Sequence, residues 1–136
     1  MCVQVGILGF AHGHVNSYCD EWRAHPELGV TVEAGWDHDE ARLQRAVELL
    51  GLESYHDVDE LLSNRKIQAV VIASETSRHA DLVERAAAAG KAIVLQKPIA
   101  ITMGEAQRIV NAVEQANVPF TMAWQMRVDP QNLAMK

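Results

Sequence analysis

The chain is poor in cysteine, in clustered positive charge and in long apolar runs, and each shortage removes a class of protein. Two cysteines, Cys2 and Cys19, are too few for a disulfide framework and do not form a metal-type pair, so a reduced, cytoplasmic setting is expected. With 12 Lys+Arg against 18 Asp+Glu the net charge is -6, and the basic residues are scattered. That balance argues against nucleic acid or an anionic membrane as partner, and the three tryptophans form no base-stacking pattern. No run approaches the ~20 apolar residues of a membrane span, and the first residues lack the basic start and cleavage site of a signal peptide. Repeats, low-complexity stretches and Pro/Gly-rich linkers are also missing. What remains is 136 residues, enough for one domain with its own core.

The chain is organised around Val3 to Val15. The apolar run Val3-Gln4-Val5-Gly6-Ile7-Leu8 opens into Gly9-Phe10-Ala11-His12-Gly13-His14 and then into a helical segment, reading as strand, phosphate-binding turn and helix start. A helix N-terminus offers unpaired N–H groups and partial positive charge to a pyrophosphate. The full dinucleotide fingerprint asks for glycine at three places, where this chain has Gly9, Ala11 and His14, with Gly13 displaced by one. His14 is expected to pack where the third glycine normally lies, holding the helix slightly off the sheet.

Further strands are expected at 30–36, with Val30, Val32 and Ala34 on one face, and at 68–73, 92–95 and 119–124. Helices are expected at 15–23, at 39–49 with Gly51 as stop, from 57, at 78–89 with Gly90 as stop, and from Thr102. Asp57/Glu60 and Thr102/Glu105 match capping boxes, and the last helix shows an apolar stripe of Ala106, Ile109, Val110 and Val113. Strands and helices alternate, with one extra short helix before the third strand. That pattern predicts an α/β fold, a doubly wound parallel sheet covered by helices on both faces. The three tryptophans, Trp22, Trp36 and Trp124, are expected in or at the edge of the core.

In such a sheet ligands bind at the carboxyl ends of the strands, where this sequence places His12 and His14, Asp37 and His38, Ser74 to His79, and Gln96-Lys97-Pro98. Asp37 ends the second strand and can accept hydrogen bonds from the adenosine ribose, favouring NAD over NADP; it can equally be a helix-capping aspartate. His79 can contact a ligand or make a structural hydrogen bond. The His12/His14 pair has no nearby cysteine or carboxylate to complete a ligand set, so no metal is expected. Lys97 is either a surface lysine or a cation at the mouth of the site, able to orient or polarise a substrate hydroxyl or carbonyl, with Pro98 restricting it to extended geometry.

Together, Gly9 to His14, Asp37, Ala73 to His79, Gly90 to Pro98, Ile99 to Thr102, Glu105-Ala106 and Trp124 to Pro130 resemble the N-terminal domain of the glucose-fructose oxidoreductase / inositol dehydrogenase / rhizopine-catabolism (Gfo/Idh/MocA) family. The resemblance spans nearly the whole chain. It implies a Rossmann domain over 1–125 and, from 126 to 136, the start of a link toward a second, antiparallel-sheet domain that carries the catalytic histidine. It implies NAD, less so NADP, as cofactor, and hydride transfer with a sugar, cyclitol or related polyol. Lys97 matches the lysine of the family's Glu-Lys-Pro motif, as the one catalytic position; its glutamate is Gln96 here, and the usual proline and asparagine of the third loop are Glu75 and Thr76. The cofactor positions carried over are Gly9, Phe10, Ala11, His12, Gly13, His14, Asp37, His38, Ser74, Glu75, Thr76, His79, Gln96, Lys97 and Gln125. The chain is thus expected to be the cofactor half of an oxidoreductase, or alternatively a free-standing dinucleotide-binding sensor or subunit without catalysis. An exposed apolar face left by a missing domain can also seat a second copy of the chain.

Overall fold

The computed structural model describes residues 1–135. The chain runs β1 (Val3–Leu8), α1 (His14–Ala24), β2 (Val30–Trp36), α2 (Glu40–Leu50), β3 (Glu53–Tyr55), α3 (Val58–Ser63), β4 (Ala69–Ile72), α4 (His79–Ala88), β5 (Ala92–Gln96), α5 (Met103–Ala116), β6 (Phe120–Ala123) and α6 (Pro130–Ala134). Single 3-10 turns lie at Pro26–Leu28, Thr76–Arg78 and Gln125–Arg127. All six strands are parallel, in the order β3-β2-β1-β4-β5-β6. The strand order reverses between β1 and β4, so the loops after those two strands flank the crevice where open α/β sheets take ligands.

Both faces of the sheet are covered, which is why the central strands read as unbroken apolar runs. Ile7 and Leu8 are each 0% exposed but point to opposite sides. Ile7 packs with Val5, Val71, Ala73, Val15 and Cys19 of α1, and Leu50 at the end of α2. Leu8 packs with Ile72, Leu95, Leu61 of α3, Val83 of α4 and Ile109 of α5. Each such aliphatic side chain contributes roughly 1.5–3 kcal/mol on burial.

Several details depart from expectation. The sheet gains a strand, β3, whose three residues pair only with the end of β2 and have no apolar run to announce them. It restores the strand–helix alternation that an extra short helix had interrupted. Val30, Val32 and Ala34 do not share a face: the β1/β2 register shifts between Val5 and Gly6, leaving Glu33 as an extra residue, and Ala34 joins the Leu8 core while Val30 and Val32 stay with Ile7. Thr102 and Glu105 close a full capping box, whereas Asp57 caps α3 through the Asp59 N–H alone. In α5, Ile109 is buried and Val110 lies on the solvent side, because this outer helix covers the sheet with a narrow stripe. Trp124 is 52% exposed rather than at the edge of the core, with the Arg127 guanidinium 5.5 Å from its ring.

Candidate functional site

The turn after β1 is built on Gly9. Its φ is +91°, and a Cβ there would lie 2.5 Å from both Cα and Cβ of Ser74, so only glycine lets the loops after β1 and β4 touch. The Gly9 N–H donates to Trp36 O at 2.7 Å and the His12 N–H to Ala73 O at 3.1 Å, tying this turn to the ends of β2 and β4. The Phe10 ring lies over β2, where a Cβ on Gly35 would come within 2.7 Å of it. Beyond it, the N–H groups of Ala11, Gly13 and His14 have no partner among the described residues, and α1 has no side-chain cap. Unsatisfied donors at the start of an 11-residue helix are what an anionic group needs.

Space at the third fingerprint position differs from expectation. Around Gly13 nothing lies within 4 Å of a built Cβ. His14 is exposed and does not sit between helix and sheet; Val15, 1% exposed, makes that contact instead. The His14 ring leans on His12, with centroids 5.1 Å apart. Burial, then the charges of His14, Lys97 and His79, hold the His12 imidazole below its ordinary range. The loop after β1 therefore meets the loop after β5 electrostatically.

At the far side of the crevice Asp37 is the centre of a network. Its side chain is 0% exposed. Oδ2 accepts from the Phe10 N–H (2.7 Å) and Arg42 Nε (2.7 Å), and Oδ1 from the Asp39 N–H (2.9 Å) and Arg42 Nη2 (2.8 Å). Burial alone would raise this carboxyl, but Arg42 and the two backbone N–H groups outweigh it and the net shift is downward. Arg42 Nη2 also reaches Glu75 Oε1 at 2.8 Å. Burial likewise works against the Glu75 carboxylate, while its own backbone N–H and Arg42 draw its titration downward. His38 Nδ1 lies 3.3 Å from Asp37 Oδ1 and 3.6 Å from Glu75 Oε2. Sequence reasoning missed Arg42. The signal was there: a basic residue in the first turn of a helix opposes the helix dipole and so points to a paired anion.

Behind the crevice His79 is 1% exposed, with Nδ1 3.0 Å from Pro98 O and 3.2 Å from Ile99 O, and Nε2 3.2 Å from Ser74 O. It joins the loops after β4 and β5 instead of facing open space, the structural alternative of the two. Gln96 is 0% exposed: its Nε2 donates to the Tyr18 hydroxyl at 3.2 Å and its Oε1 accepts the Lys97 N–H at 3.0 Å. Gln125 Nε2 donates to the same hydroxyl at 3.1 Å, so Tyr18 on α1, also missed from sequence, links β5 to the turn after β6. Lys97 and Pro98 are exposed, joined by a cis peptide bond. They border an apolar cleft of about 580 Å³, lined also by Ile99, Met122, Trp124 and Met126. Thr76 opens the 3-10 turn beside Glu75. The residues expected from sequence thus converge on one edge, with Asp37, His79 and Gln96 inside as its framework and Ala11 to His14, His38, Glu75 and Lys97 toward the opening.

Among the described residues no helix is long and apolar enough to cross a membrane. The chain is 35% identical over 127 residues to the D-apiose dehydrogenase of Paraburkholderia graminis, a match covering 93% of this chain and 32% of that one. It is 34% identical to the inositol 2-dehydrogenase of Rhizobium meliloti, over 100% of this chain and 40% of the relative. The crystal structure of an NAD binding oxidoreductase from Klebsiella pneumoniae superposes with a TM-score of 0.88 at 27% identity, covering all of this chain and 38% of that one. The chain therefore spans about a third of the length of its curated relatives. Residues 3–124 match the model of the oxidoreductase family with an NAD-binding Rossmann fold, and the chain belongs to that Gfo/Idh/MocA family.

Proposed function

We propose that this chain is the nucleotide-binding portion of an NAD(P)-dependent oxidoreductase, with NAD preferred, acting on a sugar, cyclitol or related polyol. The observation that carries it is the Gly9 turn, where a missing Cβ lets two loops meet at the switch point beneath a helix start with three unpaired N–H groups. These groups fit a pyrophosphate by charge and donor count. Residues 1–125 form the dinucleotide domain and 126–136 the start of a link. The substrate class follows from relatives named as dehydrogenases of D-apiose and of inositol.

When bound, the nicotinamide supplies the hydride exchanged with a substrate carbinol carbon. The chain's own residues do the rest. Ala11, Gly13 and His14 would hold the pyrophosphate on backbone N–H groups, and Phe10, His12, Ser74 and Thr76 would shape the walls of the crevice. Lys97, at the opening beside the apolar cleft, would orient the substrate oxygen and give or take its proton. Asp37, His79, Gln96 and Gln125 act through the loops they fix. Titration with NADH tests the binding reading: saturable enhancement of nicotinamide fluorescence is expected, and no change in nicotinamide or tryptophan emission at millimolar cofactor would overturn it.

A further inference from the structure

The buried Asp37 leaves a gap in the recognition of the adenosine ribose, and the loop after β4 fills it. A carboxylate offers about four acceptor sites. All four of Asp37 are taken, by the Phe10 and Asp39 N–H groups and twice by Arg42. With its side chain 0% exposed, it has neither a free lone pair nor an open path to a ribose hydroxyl. Glu75 faces it across the mouth of β1. Glu75 Oε1 accepts from Arg42 Nη2, but Oε2, itself covered, has no hydrogen-bond partner, alone in this among the buried side-chain polar atoms of the described residues. Its neighbours are His38 Nδ1 at 3.6 Å and Arg78 Nε at 4.0 Å, on side chains 29% and 45% exposed that can turn aside.

We infer that Glu75 is the residue that selects NAD over NADP in this chain, an inference resting on the dinucleotide reading above. It acts in two ways. By holding Arg42 Nη2 between two carboxylates it keeps that guanidinium from turning toward a 2′-phosphate, and it also stands 4.0 Å from the second guanidinium of the rim, that of Arg78. Its unpartnered Oε2 accepts a ribose hydroxyl where a phosphate would be repelled.

The test is a set of calorimetric titrations of NAD and NADP into the chain and its Glu75→Gln variant, which keeps the shape and loses the charge. The ratio of NADP to NAD dissociation constants is expected to be above unity in the parent and to fall by about tenfold in Glu75→Gln. Adding Arg42→Gln should abolish that gain, because the freed guanidinium causes it. Glu75→Asp should retain the preference for NAD. A ratio that stays within twofold of the parent in a folded variant that still binds NAD overturns the assignment and leaves the dinucleotide reading standing. A parent that binds neither nucleotide overturns both.

Discussion

Replacing Asp37 with alanine should unfold this domain more readily than any ordinary surface change, although the residue sits at a ligand-binding edge. The substitution leaves Arg42 Nε and Nη2 without their carboxylate and frees the N–H groups of Phe10 and Asp39. Breaking a buried pair by removing one partner costs about 3–5 kcal/mol. Arg42 is 21% exposed and still has Glu75, so the lower part of that range, roughly 3–4 kcal/mol, applies. For a chain of this size the loss corresponds to a fall in Tm of roughly 10–15 °C. Urea denaturation followed by far-UV circular dichroism at pH 7 measures it, and Asp37→Asn, which keeps the shape, should fall between. The pH dependence supplies the sign. The folded carboxyl titrates below its unfolded range, so its stabilisation is complete above about pH 4 and disappears as pH falls through the folded value. Parent and variant should therefore converge in acid. A loss at pH 7 below about 1 kcal/mol, typical of an exposed ion pair, would refute the buried network.

Other expectations follow from the same geometry. Gly9→Ala places a Cβ 2.5 Å from Ser74 at a φ of +91°, so it should cost at least about 1–2 kcal/mol and weaken NADH binding in the same titration. In Lys97→Ala the His12 imidazole should titrate at higher pH than in the parent, yet below its ordinary range, since burial and His14 still depress it; proton NMR of the ring reads this directly. Burial pushes the Cys19 thiol up to about 11, whereas Cys2 is exposed. A disulfide reagent at pH 8 should accordingly modify one thiol in the folded chain and two in urea.

The sheet was legible where apolar, β-branched runs reported burial on both faces, as in β1, β4 and β5. It was not legible at β3, where three residues, Glu53 to Tyr55, form a strand only because the end of β2 offers them partners. Nor was the face of Ala34, since a bulge set by pairing with β1 inverts the alternation that the residues of β2 display on their own. The site shows the same division. Gly9 could be read because a strand-to-helix turn demands a positive φ there. Asp37 could be placed at the strand end, but whether its oxygens were free depended on Arg42 reaching back from the next helix and on Phe10 from another loop. Local sequence fixes positions; occupancy is settled by contacts between distant segments. His79 and Gln96 belong to the same class, buried and hydrogen-bonded to Pro98 and to Tyr18 of α1, 19 and 78 residues away in the chain. Trp124 is the converse, an aromatic left on the surface beside the cleft at Lys97.

The central claim is that a dinucleotide lies across the switch point, with its pyrophosphate on the turn after β1. The most direct measurement is amide NMR of the labelled chain during addition of NAD. The backbone resonances of Gly9 to His14 and of Ser74 to Thr76 should shift together and saturate, while those of α5 and its turn at Asn117 stay in place. Shifts confined to the apolar cleft around Trp124, or none in the Gly9 turn at saturating nucleotide, would contradict it.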